Sequence, residues 1–321
     1  MRFAIQTPPE RTTFSALRDL WQAADELGFT AAFTFDHLLP LHPGERPGVP
    51  APAERSGSQF EGWTVLTALA AGTRNLQVGT LVSGVTYRHP AVLAKMAVTL
   101  DHVTDGRTIL GLGAGWHAQE HAAFGIGFPD VGERMARLDE TLAMFHLLCN
   151  SGGAPVDFEG RYCRLHQAVF NPVPVRASGI PVLVGGTGAR LKRIAARHAS
   201  WFNTFAAPWE WVAINGDLDG LLHAAGRRPA DLLRTAYVFA ELSGDADQED
   251  RLVETFQATR GGTADEVRKR VLVGSPGDMS ATLRSYADAG VDLVIINLRP
   301  PYGPVVAGLE QFAKEVIPAH G

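Results

Sequence analysis

The dipeptide Asp36-His37 ends an apolar run, TAAFTF, and is the pair of side chains that most suggests acid–base chemistry. A histidine can accept or donate a proton near neutral pH. On the residues alone, a structural or surface histidine is the more common outcome. His37 is therefore a catalytic candidate only if the fold places it at a cleft.

Two glycine-rich segments follow other apolar runs. GGTG, residues 185–188, joins a predicted strand to a predicted helix, where free backbone N–H groups suit a phosphate. Lys192 and Arg193 could add charge there, whereas the alternative is a tight turn that only needs positive φ. GLGAG, residues 111–115, indicates either the close approach of a flat ring or close packing between strands.

A group of titratable residues, His117, Glu120 and His121, lies just beyond the second glycine segment. The two histidines are four positions apart, which invites comparison with helical zinc sites. The pattern differs from HExxH and no third ligand is evident, so no metal is predicted. Trp63 and Trp116 are candidates for the apolar walls of a substrate pocket. The sequence contains neither a GxSxG elbow nor a Walker loop, so hydrolase and NTPase functions lack support.

Short apolar runs alternate with amphipathic stretches along the chain, which predicts strands that are each followed by a helix. Eight strands are expected, at residues 2–6, 30–36, 76–82, 108–112, 181–186, 201–205, 235–242 and 291–298. Helices are expected at residues 13–27, 62–73, 90–104, 132–148, 189–199, 208–225, 248–270, 277–289 and 305–317. Around residues 150–180, prolines and alternating aromatic residues break the rhythm and predict a hairpin insertion.

This order of elements predicts an α/β fold, a (β/α)8 TIM barrel that forms a single domain over residues 1–321. An open, doubly wound sheet is the rival, but it would need a glycine fingerprint after the first strand, where the chain reads TPPERTT. In a barrel the C-terminal ends of the strands line the active site, so the segments above would meet at one face. The Pro- and Gly-rich stretch 41–59 is expected to be a loop above that face.

The composition excludes several classes of function. The chain has 321 residues, 45% of them hydrophobic and 20% charged, an ordinary globular balance. A formal net charge of -5 gives no basic footprint for nucleic acid. No run approaches the roughly 18 apolar residues of a membrane span. Two cysteines make no disulfide framework, so a cytoplasmic location is expected.

Several segments together resemble the luciferase-like monooxygenases and the related deazaflavin-dependent oxidoreductases. They are FTFDHLLP, the run from VGTLVSG to WHAQE, GERMARLDETL, VDFEGRYCRL, PVLVGGTG and GVDLVIINLRP. The resemblance covers essentially the whole chain, and residues 78–120 are its most specific part. It implies a barrel with an insertion, a cofactor at the C-terminal face and a homodimer.

The resemblance also implies roles for individual residues. The tricyclic ring would lie against the third strand, with a non-proline cis peptide between Leu81 and Val82. His37 would act as proton donor or base, and Asp36 would contact the ring or its side chain. The remaining residues implied to bind the cofactor are Thr80, Leu81, Val82, Gly113, Ala114, Gly115, Gln119 and, for its phosphate, Gly185, Gly186, Thr187 and Gly188.

Two cofactors are considered. Members that use flavin mononucleotide often place an arginine after the fourth strand, where this chain reads GLGAGWH and resembles the branch that uses the deazaflavin coenzyme F420. Members that oxidise sugar phosphates carry an acid where this chain has Trp116, so a more apolar substrate is expected. The deazaflavin carries out two-electron hydride chemistry.

The expected function is therefore hydride transfer between F420 and a C=C, C=N or C=O group of a small organic substrate. The pocket would be walled by Trp63, Trp116 and the 41–59 loop. One alternative is a two-component monooxygenase that uses flavin mononucleotide and O2. A second is a non-catalytic flavin-binding protein on the same fold, because fold does not fix function.

Overall fold

The computed structural model describes residues 1–41 and 56–320. The strands are β1 (Arg2–Gln6), β2 (Ala31–Thr34), β3 (Gln77–Thr80), β4 (Ser83–Gly84), β5 (Thr108–Gly113), β6 (Pro155–Glu159), β7 (Arg164–Val169), β8 (Val182–Gly185), β9 (Trp201–Thr204), β10 (Leu233–Phe239) and β11 (Leu293–Asn297). The helices are α1 (Phe14–Glu26), α2 (Gly62–Ala70), α3 (Pro90–Val103), α4 (Ala118–Ala123), α5 (Val131–Cys149), α6 (Ala189–His198), α7 (Pro208–Ala224), α8 (Ala246–Arg260), α9 (Ala264–Arg268), α10 (Pro276–Asp288) and α11 (Tyr302–Glu315). Short 3-10 turns cover Pro229–Asp231 and Ile317–His320.

Eight parallel strands close into a barrel in the order β1, β2, β3, β5, β8, β9, β10 and β11. The ring is completed where β11 pairs with β1, with Ile295 opposite Ala4. The β3–β5 pairing, with Val78 opposite Thr108, excludes the open doubly wound sheet. The short strand β4 pairs with the end of β5 and extends the C-terminal rim. The predicted (β/α)8 barrel is confirmed.

Alternation along the strands separates two apolar layers. In β11, Leu293 and Ile295 point into the barrel, and Val294 and Ile296 pack outwards against the helices. The barrel interior is filled by buried side chains from several strands, as is usual for this fold. Its buried members are Ala4, Ala31, Phe33, Ile109, Leu183, Trp201, Leu293 and Ile295.

The predicted insertion is confirmed as an antiparallel hairpin formed by β6 and β7. Its turn is fixed to the barrel by one side chain, because the Glu140 carboxylate on α5 accepts the backbone N–H groups of Arg161, Tyr162 and Cys163 at 2.6–2.8 Å. A partly buried carboxylate with three N–H donors holds a turn without needing a cation.

The helix predictions differ from the structure in two places. The helix expected at 248–270 is divided into α8 and α9 by Gly261 and Gly262, which have φ of +74° and +95°. The short helix α4 was not expected; its first turn is capped by His117, whose Nδ1 accepts the backbone N–H of Glu120.

Most of the 41–59 loop, residues 42–55, lies outside the described residues. Within the described ranges, none of the helices has both the length and the apolar character needed to cross a membrane.

Candidate functional site

A cavity of about 620 Å³ lies at the C-terminal end of the barrel. Its wall includes Phe35 after β2, Trp116 after β5, Phe205 after β9 and Phe239 at the end of β10. Polar residues and one face of α8 complete the lining. An apolar pocket of this size with a few polar groups is typical of a small-molecule site.

His37 lies beside this cavity, next to Trp116. The two rings meet edge to face, with centroids 5.4 Å apart, and Trp116 lines the cavity. The His37 side chain is 12% exposed. The Nδ1 atom of His37 lies 3.0 Å from Oε2 of Glu120, a residue that α4 brings to this point.

Glu120 is fully buried and accepts four hydrogen bonds. Its Oε1 accepts the backbone N–H groups of Leu38 and Leu39 at 2.5 and 2.9 Å. Its Oε2 accepts His37 and the hydroxyl of Tyr87. Burial alone would raise the pKa of Glu120, but the bonds from His37, Tyr87 and Leu39 lower it to about 2. The side chain is therefore an ionised acceptor at neutral pH.

An ionised Glu120 fixes the proton of His37. A carboxylate can only accept, so the proton in the His37–Glu120 bond must lie on Nδ1. In the neutral ring, Nε2 then carries the lone pair and is the atom able to accept a proton. Burial and the negative charge of Glu120 raise the pKa of Tyr87 far above its ordinary value, so that hydroxyl remains a donor.

Asp36 has a different partner, Arg88. Its carboxylate is buried and accepts the guanidinium in a two-point contact at 2.5 and 3.0 Å. Arg88 also pairs with Glu61, the residue that caps α2. The expected contact between Asp36 and a cofactor ring stays a prediction, and it would form at a carboxylate that Arg88 already engages.

The end of β3 has the backbone feature that the resemblance implied, since the Leu81–Val82 peptide bond is cis. Leu81 and Val82 are partly buried and pack against the barrel interior. Thr80 is buried, and its hydroxyl lies within hydrogen-bond distance of Ser83 and the carbonyl of Gly111. Leu81 and Val82, which are partly exposed, therefore present an apolar surface at the C-terminal face.

The glycines of β5 and the glycine that ends β8 are explained by packing between strands. A Cβ at Gly111 would lie 1.8 Å from the carbonyl oxygen of Thr80. Cβ atoms at Gly113 and Gly185 would lie 2.7 and 2.8 Å from methyl groups of Val82. Close packing between strands therefore accounts for Gly111 and Gly113, and the approach of a flat ring to residues 111–115 stays a prediction.

The segment from Gly185 to Gly188 forms an exposed turn that leads into α6. Gly186 and Gly188 have φ of +136° and +98°, conformations that side chains strongly disfavour. Gly188 is the N-cap of α6, and no side chain of the described residues caps that helix. The turn, which includes Thr187, therefore leaves backbone donors for an anion, whereas Lys192 is paired with Asp217.

The remaining predicted residues differ in how far they are buried. Ala114 and Gly115 are partly buried after β5, and Gln119 is exposed on α4. Trp116 lines the cavity, and its role as a wall of the substrate pocket stays a prediction. Trp63 is instead 2% exposed in the core, where its indole N–H donates to Ser83 at 2.8 Å. The expectation that Trp63 walls the pocket is therefore corrected, since its ring packs between α2 and the barrel.

His121 has hydrogen-bond partners different from those of His37. Its Nδ1 lies 2.8 Å from the carbonyl oxygen of His117, and its Nε2 lies 2.6 Å from Thr86 Oγ1. Because a carbonyl only accepts, the proton lies on Nδ1 and Nε2 accepts from Thr86. Burial lowers the pKa of His121. Among the described residues, no group of three acidic, histidine or cysteine side chains is arranged to hold a metal ion.

Sequence reasoning overlooked Glu120, Tyr87 and Arg88 as site residues. Glu120 was considered only as part of a metal pattern, yet it follows a strand end, which is the position that a barrel uses for its active site. Tyr87 and Arg88 lie in the loop after β4, immediately before Pro90 opens α3. That same positional rule would have found all three.

Comparisons with known proteins identify a family and several relatives. The family model described as luciferase-like monooxygenase matches residues 1–293. The F420-dependent glucose-6-phosphate dehydrogenase of Nakamurella multipartita is 33% identical over 259 residues, which cover 79% of this chain and 71% of that protein. The enzyme of the same name from Intrasporangium calvum is 29% identical, with 92% of this chain and 91% of that protein covered.

A search of solved structures finds the same fold. An F420-dependent secondary alcohol dehydrogenase, solved with an F420–acetone adduct, superposes with a TM-score of 0.82 and 19% identity. The match covers 99% of this chain and 98% of that one. At this identity the match establishes the fold alone. Since the family model spans most of its length, the chain belongs to the luciferase-like monooxygenase family.

Proposed function

We propose that this chain is an oxidoreductase that uses coenzyme F420 to transfer a hydride to or from a C=C, C=N or C=O group of a small organic substrate. The observation that carries the proposal is His37, which is held by a buried carboxylate next to the ring of Trp116 on the cavity wall. The F420-dependent relatives support the choice of cofactor.

The residues at the C-terminal face fit a phosphate-bearing tricyclic cofactor. Leu81 and Val82 offer an apolar surface for a flat ring, and the uncapped N-terminus of α6 after Gly188 offers backbone N–H donors for a phosphate. When bound, F420 would supply or accept the hydride. No arginine follows β5 for a flavin phosphate, which favours the deazaflavin over flavin mononucleotide.

His37 would move the proton that accompanies the hydride. In the dehydrogenation direction Nε2 accepts a proton from the substrate, and in the reduction direction it returns that proton. Glu120 keeps the opposite nitrogen protonated, so Nε2 would be the atom that exchanges the proton in each cycle. Trp116 and Phe35 would exclude water from the reacting atoms.

A binding titration tests the cofactor. The purified apo-protein is titrated with F420 and with flavin mononucleotide, and tryptophan fluorescence quenching is followed. We expect tight, selective quenching by F420. Selective binding of flavin mononucleotide would favour an oxygen-dependent monooxygenase, and binding of neither would contradict the cofactor assignment.

A substitution tests the role of His37. Once a substrate has been found by screening unsaturated, imine and carbonyl compounds, His37→Ala is expected to lower turnover by about 100-fold or more while leaving F420 affinity nearly unchanged. An equal loss of turnover and affinity would mean that His37 only contacts the cofactor. Turnover without any change in the redox state of the bound cofactor would support neither proton transfer nor cofactor contact as the role of His37. A protein that binds F420 but never changes the redox state of the cofactor, whatever the substrate, would be the non-catalytic binding protein.

We also propose a homodimer in the cytoplasm, as the resemblance implies. Sedimentation velocity on the purified chain tests the dimer, and a monomer at micromolar concentration would contradict it.

A further inference from the structure

The loop after β4 holds the site through three consecutive side chains, those of Thr86, Tyr87 and Arg88. Their hydrogen-bond partners are, in the same order, His121, Glu120 and Asp36. Tyr87 is the member of this loop that shares its partner with His37. The proposed reaction gives roles to His37 and Glu120, and none to the loop that holds them.

The Glu120 carboxylate has as many donors as it has lone pairs. A carboxylate offers about four lone-pair sites, two on each oxygen. The backbone N–H groups of Leu38 and Leu39 fill those of Oε1. His37 and Tyr87 fill those of Oε2. The Tyr87 hydroxyl therefore occupies the lone pair beside the one that His37 uses.

Packing on two sides fixes the ring that carries this hydroxyl. The Tyr87 ring stacks on the ring of His121, with centroids 4.8 Å apart and an angle of 23° between the planes. His121 is itself bonded to Thr86 and to the carbonyl oxygen of His117. On the other side, a Cβ at Gly84 would lie 3.0 Å from Cε2 of the Tyr87 ring, so glycine leaves the ring its room. Elements β4 and α4 thus deliver the hydroxyl to Glu120 together.

The titratable groups that contact His37 or its partners come from three segments. They are Asp36 beside it, Tyr87 and Arg88 after β4, and His117, Glu120 and His121 at α4. Asp36 is paired with Arg88, and burial lowers the pKa of His121, which favours its neutral form. The Nδ1 atom of His117 accepts the backbone N–H of Glu120. Among these groups, the negative charge in direct contact with the His37 ring is that of Glu120.

We propose that Tyr87 is a positioning residue that limits how strongly Glu120 attracts the proton-bearing ring of His37. Because the hydroxyl donates to Oε2, it offsets part of the negative charge that would otherwise stabilise a His37 imidazolium. His37 can then release a proton as well as accept one. This inference deepens the proposed function and rests on it, because it assumes that His37 moves the proton of the reaction.

The test uses Tyr87→Phe, which removes the hydroxyl and keeps the ring. Protonation of His37 is followed by nitrogen-15 NMR of the purified full chain, with and without F420, and its signal is assigned by its loss in His37→Gln. We expect the midpoint of His37 protonation to rise by about half to one pH unit in Tyr87→Phe, because the freed charge of Glu120 then stabilises the imidazolium. This readout needs no substrate.

Tyr286→Phe is the matched control. The Tyr286 hydroxyl is also buried, but it donates to the carbonyl oxygens of Ala206 and Arg270, at 3.1 Å each. Its loss should leave the His37 midpoint unchanged. If Tyr87→Phe does not fold, a ring-fluorinated tyrosine at position 87 replaces it. That residue keeps the hydrogen bond and makes the hydroxyl a stronger donor, so the midpoint should fall.

The pH dependence of turnover gives a second readout once a substrate has been found. The limb of the kcat/KM profile that reports His37 should move in Tyr87→Phe by the same amount as the NMR midpoint. The affinity for F420 should stay the same, because Tyr87 is outside the predicted cofactor site. A purely structural role would lower the rate at every pH and leave the position of the limb unchanged.

An unchanged or lowered midpoint in Tyr87→Phe, an equal rise in Tyr286→Phe, or a midpoint that does not fall with the fluorinated ring would overturn the proposal. These outcomes would leave the proposed function intact, because none of them bears on whether His37 exchanges a proton with the substrate. Full turnover in His37→Ala, or absence of F420 binding to the unaltered chain, would contradict the proposed function instead.

Discussion

Asp36 and Glu120 are two buried carboxylates at the same end of the barrel, and their surroundings are opposite. The side chains of both have no exposed area. Asp36 is neutralised by the guanidinium of Arg88, whereas Glu120 is held by two amides, a phenol and an imidazole. The Asp36 charge stabilises an ion pair with Arg88, whereas the Glu120 charge holds the imidazole ring of His37.

This difference explains why one carboxylate is suited to proton chemistry. Arg88 remains protonated at any relevant pH, so the Asp36 pair has no proton to exchange. The donors to Glu120 include His37, whose second ring nitrogen, Nε2, can accept a proton while Nδ1 donates to the carboxylate. Equal burial therefore produces a fixed ion pair in one place and, in the other, a carboxylate bonded to the histidine for which we propose proton transfer.

The largest expected effect comes from removing the cation of the fixed pair. Arg88→Met would leave the Asp36 charge buried without a partner, and we expect a loss of about 3–5 kcal/mol in the free energy of unfolding. Urea denaturation measures it. Asp36→Asn combined with Arg88→Met should recover part of the loss, because the orphaned charge is then removed.

Arg268→Met, which breaks a surface pair with Asp250, is the control and should cost less than about 1 kcal/mol. If Arg88→Met costs no more than this control, the contrast between the two carboxylates is wrong.

The second prediction concerns Glu120→Gln, which keeps the size of the side chain but removes the charge. The amide can still accept from Leu38 and Leu39, yet its NH2 group cannot accept from Tyr87 or from His37 Nδ1–H. We expect a loss of about 1–3 kcal/mol at pH 7. We also expect the His37 proton to move to Nε2, which nitrogen-15 chemical shifts of the ring would report.

The loss should depend on pH in a defined direction. Folding lowers the pKa of Glu120 from 4.5 to about 2, so the ionised group stabilises the fold above pH 4.5, by up to about 3 kcal/mol. That contribution disappears as the pH falls from 4.5 towards 2. The gap between the native chain and Glu120→Gln should therefore narrow in acid, and a gap that widens there would contradict the assignment.

The comparison also shows what a sequence can and cannot reveal. The strands were predictable because short apolar runs are local, and the cis bond at Leu81–Val82 followed from a resemblance over neighbouring residues. The partnership of His37 with Glu120 joins positions 83 apart, and no local pattern contains it. The need for glycine at positions 111 and 113 comes from Thr80 and Val82 on the neighbouring strand, and only the folded structure shows that they are neighbours.

Helix α4 was missed for the same physical reason. It has six residues, too few for a period to be recognised, and it is held by contacts that arise from the barrel. Those contacts bring His117 to its N-terminus and Glu120 to the loop after β2. The chemistry of the site thus depends on an element that tertiary structure stabilises.

The smallest expected effect comes from Glu61, the second carboxylate that contacts Arg88. Glu61 contacts the same guanidinium as Asp36, but its side chain is 40% exposed, so water screens its charge. Glu61→Gln should cost less than about 1 kcal/mol at low salt, and the cost should vanish at high salt. The amide can still accept the backbone N–H of Thr64, so the cap of α2 is preserved.

The contribution of Glu61 to the free energy of unfolding should depend on pH, because folding lowers the pKa of this carboxylate. Partial burial would raise the pKa of Glu61, but its bonds with Thr64 and the charge of Arg88 lower it. Its contribution is then present above pH 4.5 and fades as the pH falls below that value. Urea denaturation of Glu61→Gln at low and high salt and at pH 7 and pH 3 measures these terms. A loss as large as that of Arg88→Met would mean that Glu61, and not Asp36, is the main partner that holds Arg88 in place.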